Sequence, residues 1–184
     1  MKEHAEVIRS LKEQMCSISQ NYDFDMNNMD DPLTQEERSY ELPGGEIIEV
    51  GHKTRFKSTE ILFNPSLVGQ NVPGIARMAF DSIEKCDNDL KNSCLYGNIV
   101  LAGGSTLMPG FKERFEAEIR GYAAHSADTD IKVFADLHRK NAAWIGGSMV
   151  SSFSTFRDMT VTKEEYDNGD SGDKPLAILK KSIN

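Results

Sequence analysis

The stretch Asn98-Ile-Val-Leu-Ala-Gly-Gly-Ser-Thr-Leu-Met-Pro-Gly-Phe111 constrains this chain more than any other part of it. Asn98 to Ala102 is a short apolar run rich in β-branched residues, the composition of a strand buried on both faces. Gly103 and Gly104 carry no Cβ, so the backbone can turn tightly there and approach another group closely. Ser105 or Thr106 can then cap a helix whose first turn accepts Pro109, and Phe111, Phe115 and Ile119 recur at a helical spacing. Strand, glycine turn and helix make an α/β unit. In open α/β sheets ligands gather outside the carboxyl ends of strands, where this turn lies, and a helix start offers unpaired N–H groups to anions. Neither G-x-x-x-x-G-K-[ST] nor G-x-G-x-x-G is present, so local features leave two readings open, a ligand site and an ordinary strand-to-helix turn.

With 184 residues the chain can form one or two small domains with a genuine core. The formal net charge of −8 argues against a nucleic-acid partner, since phosphate neutralisation needs clustered Lys and Arg. Cys16, Cys86 and Cys94 are odd in number and form no C-x-x-C pair, which points away from a disulfide framework or a zinc site and toward a reducing compartment. No apolar run approaches the roughly 18 to 20 residues that cross a bilayer, and the amino terminus has no secretory apolar region. The chain opens almost directly into a helix, an arrangement expected of a polypeptide that starts partway through a larger fold.

Val7, Ile8, Leu11, Met15 and Ile18 trace one face of a helix expected from about Ala5 to Ser19. Arg9, Lys12 and Glu13 lie off that stripe, where Arg9 and Glu13 can pair at i, i+4 on a solvated face. Residues 21–38 are polar and acidic, interrupted by Pro32. Asp23-x-Asp25-x-Asn27 begins like a calcium loop, but Asn28 stands where the sixth-position Gly belongs and Thr34 where the bidentate Glu belongs, so no metal site is assigned. Tyr40 to Val50 reads as a hairpin about Pro43-Gly44-Gly45, and Thr59 as the cap of a short helix ended by Pro65. Ile75, Met78, Ala79, Ile83 and Cys86 mark the inward face of a helix starting near Pro73, followed by a polar loop from Asp87 to Tyr96. Ala123 to Asp128 reads as a surface connection, Ile131 to Phe134 as a strand, and Trp144 to Phe153 as a helix that is part core and part interface. Thr162-x-x-Glu165 is a capping box for a last helix, and Asp167-Asn-Gly-Asp-Ser-Gly a solvated turn.

The central stretch, Leu101-Ala-Gly-Gly-Ser-Thr-Leu-Met-Pro-Gly, resembles the adenosine-binding loop of actin, Leu-Ser-Gly-Gly-Thr-Thr-Met-Tyr-Pro-Gly. Ser39-Tyr-Glu-Leu-Pro-Gly-Gly, Phe63-Asn-Pro-Ser, Ser82-Ile-Glu-Lys-Cys-Asp, Trp144-Ile-Gly-Gly-Ser, Ser154-Thr-Phe and Lys163-Glu-Glu-Tyr-Asp resemble actin segments in the actin order. The likeness covers almost the whole chain and matches only the carboxyl-terminal half of an actin. It implies an α/β chain forming part of the actin-like, ribonuclease-H-like, two-lobed ATPase fold. Three segments follow from it: 1–68 in the small lobe (subdomain 4-like), 69–140 in the large lobe with the adenosine loop (subdomain 3-like), and 141–184 with the closing helices and tail (subdomain 1-like). The tail from Leu176 to Asn184 departs from actin's ending, with Lys180-Lys181 in place of a penultimate cysteine and terminal aromatic.

By position, the resemblance makes Arg9, Lys12, Glu13, Gly103, Gly104, Leu107, Met108 and Lys140 the adenosine-binding set. It implies ATP or ADP with magnesium in a complete parent and an incomplete site in this chain. Leu67 and Val68 match the apolar tip of actin's plug loop, with Gln70 where muscle-type actins carry Met. Ile145, Met149, Val150, Phe153, Thr155 and Met159 match the lining of the hydrophobic cleft that meets regulatory proteins and the next subunit. The implied partners are other actin-like subunits and actin-binding proteins, with no direct nucleic acid and no membrane. The implied place is the cytoplasmic cytoskeleton, with the nucleus as the alternative.

Actin's two phosphate hairpins, metal-linked aspartate and water-orienting residue all belong to its other half, and phosphoryl transfer depends on such groups. The parent is thus expected to be a slow ATPase and this chain alone inactive, with no catalytic residue assigned. Two readings of function follow: a fragment of an ATP-binding filament subunit, or of a non-polymerising actin-related module in a chromatin remodeller or dynein activator. Either way the isolated chain is expected to be marginally stable, because surfaces that actin buries against its first half are left exposed.

Overall fold

In the computed structural model, which describes residues 2–28, 37–123 and 130–168, the amphipathic amino-terminal stretch forms helix α1, Lys2–Met15. It ends four residues earlier than its apolar spacing suggests. Met15, Cys16 and Ile18 are buried, but Ile18 lies beyond the helix, while Ile8 on the expected inward stripe is 67% exposed. The chain then makes the short helix α2, Tyr22–Asn27, capped by the Asn21 side chain, which accepts from the Phe24 N–H. Strands β1, Arg38–Glu41, and β2, Ile47–Val50, pair antiparallel as a hairpin, with Gly45 at φ +82° in its turn. Tyr40 and Val50 pack on Met15 in a small apolar cluster.

Helix α3, His52–Lys57, precedes a 3-10 turn, Glu60–Leu62. Thr59 does not cap that turn; its hydroxyl donates to the carbonyls of Ser17 at 2.7 Å and Phe56 at 2.8 Å. A second 3-10 turn, Pro65–Val68, ends at Gly69 in the left-handed region. Helix α4, Ile75–Glu84, turns Ala76, Ala79, Phe80 and Ile83 to the main core. Met78 and Ile75 face outward instead, a correction to the expected stripe. The choice is steric: Gly74 sits against the Phe63 backbone, where an added Cβ would lie 1.8 Å from the Phe63 carbonyl oxygen. This fixes the entry of α4 with Ala76, fully buried, facing inward.

The expected polar loop from Asp87 to Tyr96 is helical: α5, Asn88–Leu90, a π-type turn, Lys91–Leu95, and a 3-10 turn, Tyr96–Asn98. Tyr96 is buried and its hydroxyl donates to Glu84 at 2.7 Å; burial and that carboxylate together raise its pKa. Strand β3 is only Ile99–Val100, parallel to β4, Val133–Phe134. It is not buried on both faces: Val100 is 70% exposed and Phe134 half exposed, while Leu101 and Val133 point into the core. Helix α6, Phe111–Tyr122, carries Phe111, Phe115 and Ile119 inward as their spacing requires. Its N-cap is Gly110, so Pro109 precedes the helix; Thr106 instead closes its own turn by donating to the Gly103 carbonyl at 2.8 Å.

The chain divides into two compact units, Met1–Lys140 and Asn141–Asn184. In the second unit, α7, Ala142–Ser151, is followed by a 3-10 turn, Ser154–Met159, and by α8, Lys163–Asn168. None of the residues of α7 is buried, so the expected core share of this helix is missing among the described residues. Pro32, Thr34, the 124–128 connection, the Gly169–Gly172 part of the acidic turn and the 176–184 tail lie outside the described residues. No helix among the described residues is long and apolar enough to cross a membrane.

Candidate adenosine cleft

The glycine turn after β3 is held in place by Arg139. Its Nε donates to the Thr106 hydroxyl at 3.0 Å and its Nη2 to the Thr106 carbonyl at 2.9 Å, while the Gly103 N–H donates to the Arg139 carbonyl at 2.8 Å. Gly103 adopts φ +91°, a backbone state that favours glycine, and starts the 3-10 turn Gly104–Leu107. The Arg139 bonds also place the next residue, Lys140, whose stem passes over Gly104. A Cβ added to Gly104 would touch Lys140 Cγ at 3.6 Å.

Lys140 Nζ reaches back to Glu13 Oε2 at 3.6 Å, an exposed pair that joins α1 to the 136–140 turn. This replaces the expected Arg9–Glu13 pair; Arg9 Nη1 bonds Glu6 at 3.4 Å instead. Lys12, Glu13, Gly104, Ser105, Leu107, Met108 and Lys140 together line a cleft of about 290 Å³. That is near the lower end of the range for small-molecule clefts, about 300–1,000 Å³.

Six of the eight residues assigned to adenosine by resemblance therefore meet on one cleft. Arg9 and Gly103 do not contribute to its wall, and Ser105 does without having been assigned. Arg139 was also missed: its role lies in two bonds to Thr106, thirty-three residues away. The lining suits a nucleoside. Lys12 and Lys140 supply donors, Glu13 supplies an acceptor for hydroxyl or amino groups, Gly104 leaves a flat backbone face, and Leu107 and Met108 supply apolar contact. Among the described residues no group of three or more His, Cys, Asp or Glu is placed to hold a metal ion. An apolar cleft of about 400 Å³ shares Lys12, Ser105 and Met108 with the first.

Of the residues assigned to partner contact, Leu67 and Val68 are exposed on the Pro65–Val68 turn, beside Ile61, Lys53 and Lys57. In the second unit Met149, Val150, Phe153, Thr155 and Met159 are exposed and Ile145 half-buried; Trp144, on the same helix, is 76% exposed.

The site is thus a glycine turn after a parallel strand, set against a Lys-Glu helix and a returning lysine within an α/β chain. The family model described as Actin matches residues 1–178, and the chain belongs to the actin family, with an actin-like α/β fold. A curated relative, centractin of Schizosaccharomyces pombe, is 39% identical over 163 residues, covering 89% of this chain and 42% of that protein. The chain thus spans less than half the length of the relative it matches.

Proposed function

We propose that this chain supplies the adenosine-recognising face of an actin-family subunit, the carboxyl-terminal part of a fold that binds ATP with magnesium and assembles with other actin-like subunits. The observation that carries the reading is the convergence of residues 12–13, 104–108 and 140 on one cleft. Lys12 and Lys140 would flank the base, Glu13 would accept from ribose hydroxyls, and Leu107 and Met108 would cover an edge of the ring. The groups that grip and split a triphosphate are expected from the other part of the parent, so this chain holds the nucleoside and leaves the chemistry aside. Its exposed Leu67-Val68 tip and the apolar residues from Ile145 to Met159 are the surfaces proposed for other subunits and actin-binding proteins, in a cytoplasmic, cytoskeletal setting.

Titration of the isotope-labelled full chain with adenosine tests the site. Saturable amide shifts at Lys12, Glu13 and Gly104 to Met108 are expected, and ATP should bind about as tightly as adenosine, without phosphate release. Shifts scattered over the surface, or turnover of ATP, would remove the reading. The alternative, a non-polymerising actin-related module of a larger complex, is favoured by the sparse apolar tip, where Leu67 and Val68 are followed by Gly69 and Gln70. Sedimentation of the longest polypeptide that contains this chain, with magnesium and ATP, separates the two: a filament subunit pellets and a module stays in solution.

A further inference from the structure

Both walls of the cleft are tied to one side chain that is not part of either wall. The segment leaving α1, residues 16–20, runs against the residues that follow Met108. The Ile18 N–H donates to the Pro109 carbonyl at 2.8 Å, Gln20 Nε2 to the Gly110 carbonyl at 2.9 Å, and Arg114 Nη1 to the Ser19 carbonyl at 2.6 Å. Arg114, on the first turns of α6, is itself fixed from three sides. Its fork bonds Glu60 at 2.9 and 3.3 Å, its Nε bonds Glu118 at 2.7 Å, and its guanidinium lies 5.0 Å from the centre of the Phe63 ring. Glu60 follows Thr59, whose hydroxyl holds the same segment at Ser17.

We propose that Arg114 is the positioning residue of the cleft: braced on Glu60, it locks residues 16–20 to the start of α6 and so sets the separation of Lys12 and Glu13 from Gly104 to Met108. The proposal rests on the adenosine reading only for the ligand used to test it. Arginine suits the task because its planar fork offers several donors in fixed directions, which a lysine cannot reproduce. A preformed separation raises affinity because the ligand then need not order the walls.

The titration of Glu60 supplies a readout that a merely structural role would not give. Burial pushes its pKa up, against the hydrogen bond and charge of Arg114; Glu118 on α6 and Asp23 on α2 also face it and push it up. A carboxyl raised in the folded state favours folding when protonated. Its stabilising contribution is full below the ordinary glutamate range and is lost as pH rises through the raised value. Falling pH through that window therefore strengthens the fold by way of Glu60, while it removes the charge that braces Arg114. The Glu60 contribution to stability and the adenosine affinity should move in opposite directions.

The experiment compares the full chain with Arg114→Lys, Glu60→Gln, Gln20→Leu and, as a core control, Ile119→Val, by amide shifts without ligand and by adenosine binding between neutral and mildly acidic pH. Arg114→Lys is expected to shift the amides of both walls and to weaken adenosine about tenfold, the scale of coupling carried through packed networks. Glu60→Gln should flatten the acid-side loss of affinity, Gln20→Leu should shift both walls in part, and Ile119→Val should leave the walls unmoved. Wall amides unchanged in Arg114→Lys and Glu60→Gln would overturn the proposal. If those amides move while the unmodified chain ignores adenosine, the positioning role stands and the adenosine reading falls.

Discussion

Arg114→Met is expected to destabilise the chain by about 3–5 kcal/mol, the penalty for leaving a buried charge without its partner. Glu60 is only 3% exposed and Arg114's side chain 12%, so water cannot replace the guanidinium. The loss would rival the whole stability of an ordinary domain, about 5–15 kcal/mol. Burial alone would lower the pKa of Arg114, yet Glu60 and Glu118 reverse that and raise it, which marks how closely the carboxylates surround it. Removing both charges is a different matter. Because apolar replacements of a buried pair are often neutral, Arg114→Met with Glu60→Leu should recover most of what the single change loses. The single variant should also regain stability as pH falls, since protonation relieves the stranded carboxylate. Urea unfolding with an unchanged slope is the measurement; a single variant within about 1 kcal/mol of the parent would show the pair to be a surface-like contact.

That network was invisible in the sequence for a definite reason. Glu60 and Arg114 are 54 residues apart, and neither sits in a pattern of hydrophobic period that would place it inside. What was legible is what local rules govern: the glycine turn of the hairpin, the inward face of α6 at a spacing of four, and the presence, though not the length or burial, of a strand before Gly103-Gly104. What failed were choices that long-range contacts decide. Met78 and Ile75 looked inward by hydropathy, but α4 enters against the Phe63 backbone at Gly74 and buries Ala76, with Ala79 and Ile83, instead. Glu13 looked committed to Arg9 at i, i+4, yet its partner is Lys140 from the other end of the unit. The cleft residues themselves came from resemblance to actin, since Lys12, Glu13 and Lys140 have no local feature that separates them from solvated side chains.

The exposed side chains of the second unit need the same distinction. α7 is apolar around much of its circumference, with Trp144 and Met149 both open to solvent. Periodicity alone would assign such a helix to a core. Its residues are exposed or half-buried within their own unit, the arrangement that the proposed contact surface requires.

Gly110→Ala is the second change expected to have a large effect, about 2–5 kcal/mol, and it can be divided by comparison with Gly45→Ala. Both glycines sit at nearly the same positive φ, +83° and +82°, where an L side chain costs about 1–2 kcal/mol. Around Gly45 nothing lies within 4 Å of the added Cβ, so that variant should report backbone strain alone. At Gly110 the Cβ would lie 2.6 Å from the Ile18 carbonyl oxygen and 2.7 Å from Gln20 Nε2, adding an overpacking penalty of about 1–3 kcal/mol. Relief would require residues 18–20 to move off Pro109 and Gly110, the contact that keeps α1 in register with Met108. Gly110→Ala should therefore lose adenosine binding as well as stability, whereas Gly45→Ala should lose stability only. Equal unfolding midpoints for the two variants would mean that the approach of Ile18 carries no energy, and with it would go the reason for the walls of the cleft to stand where they do.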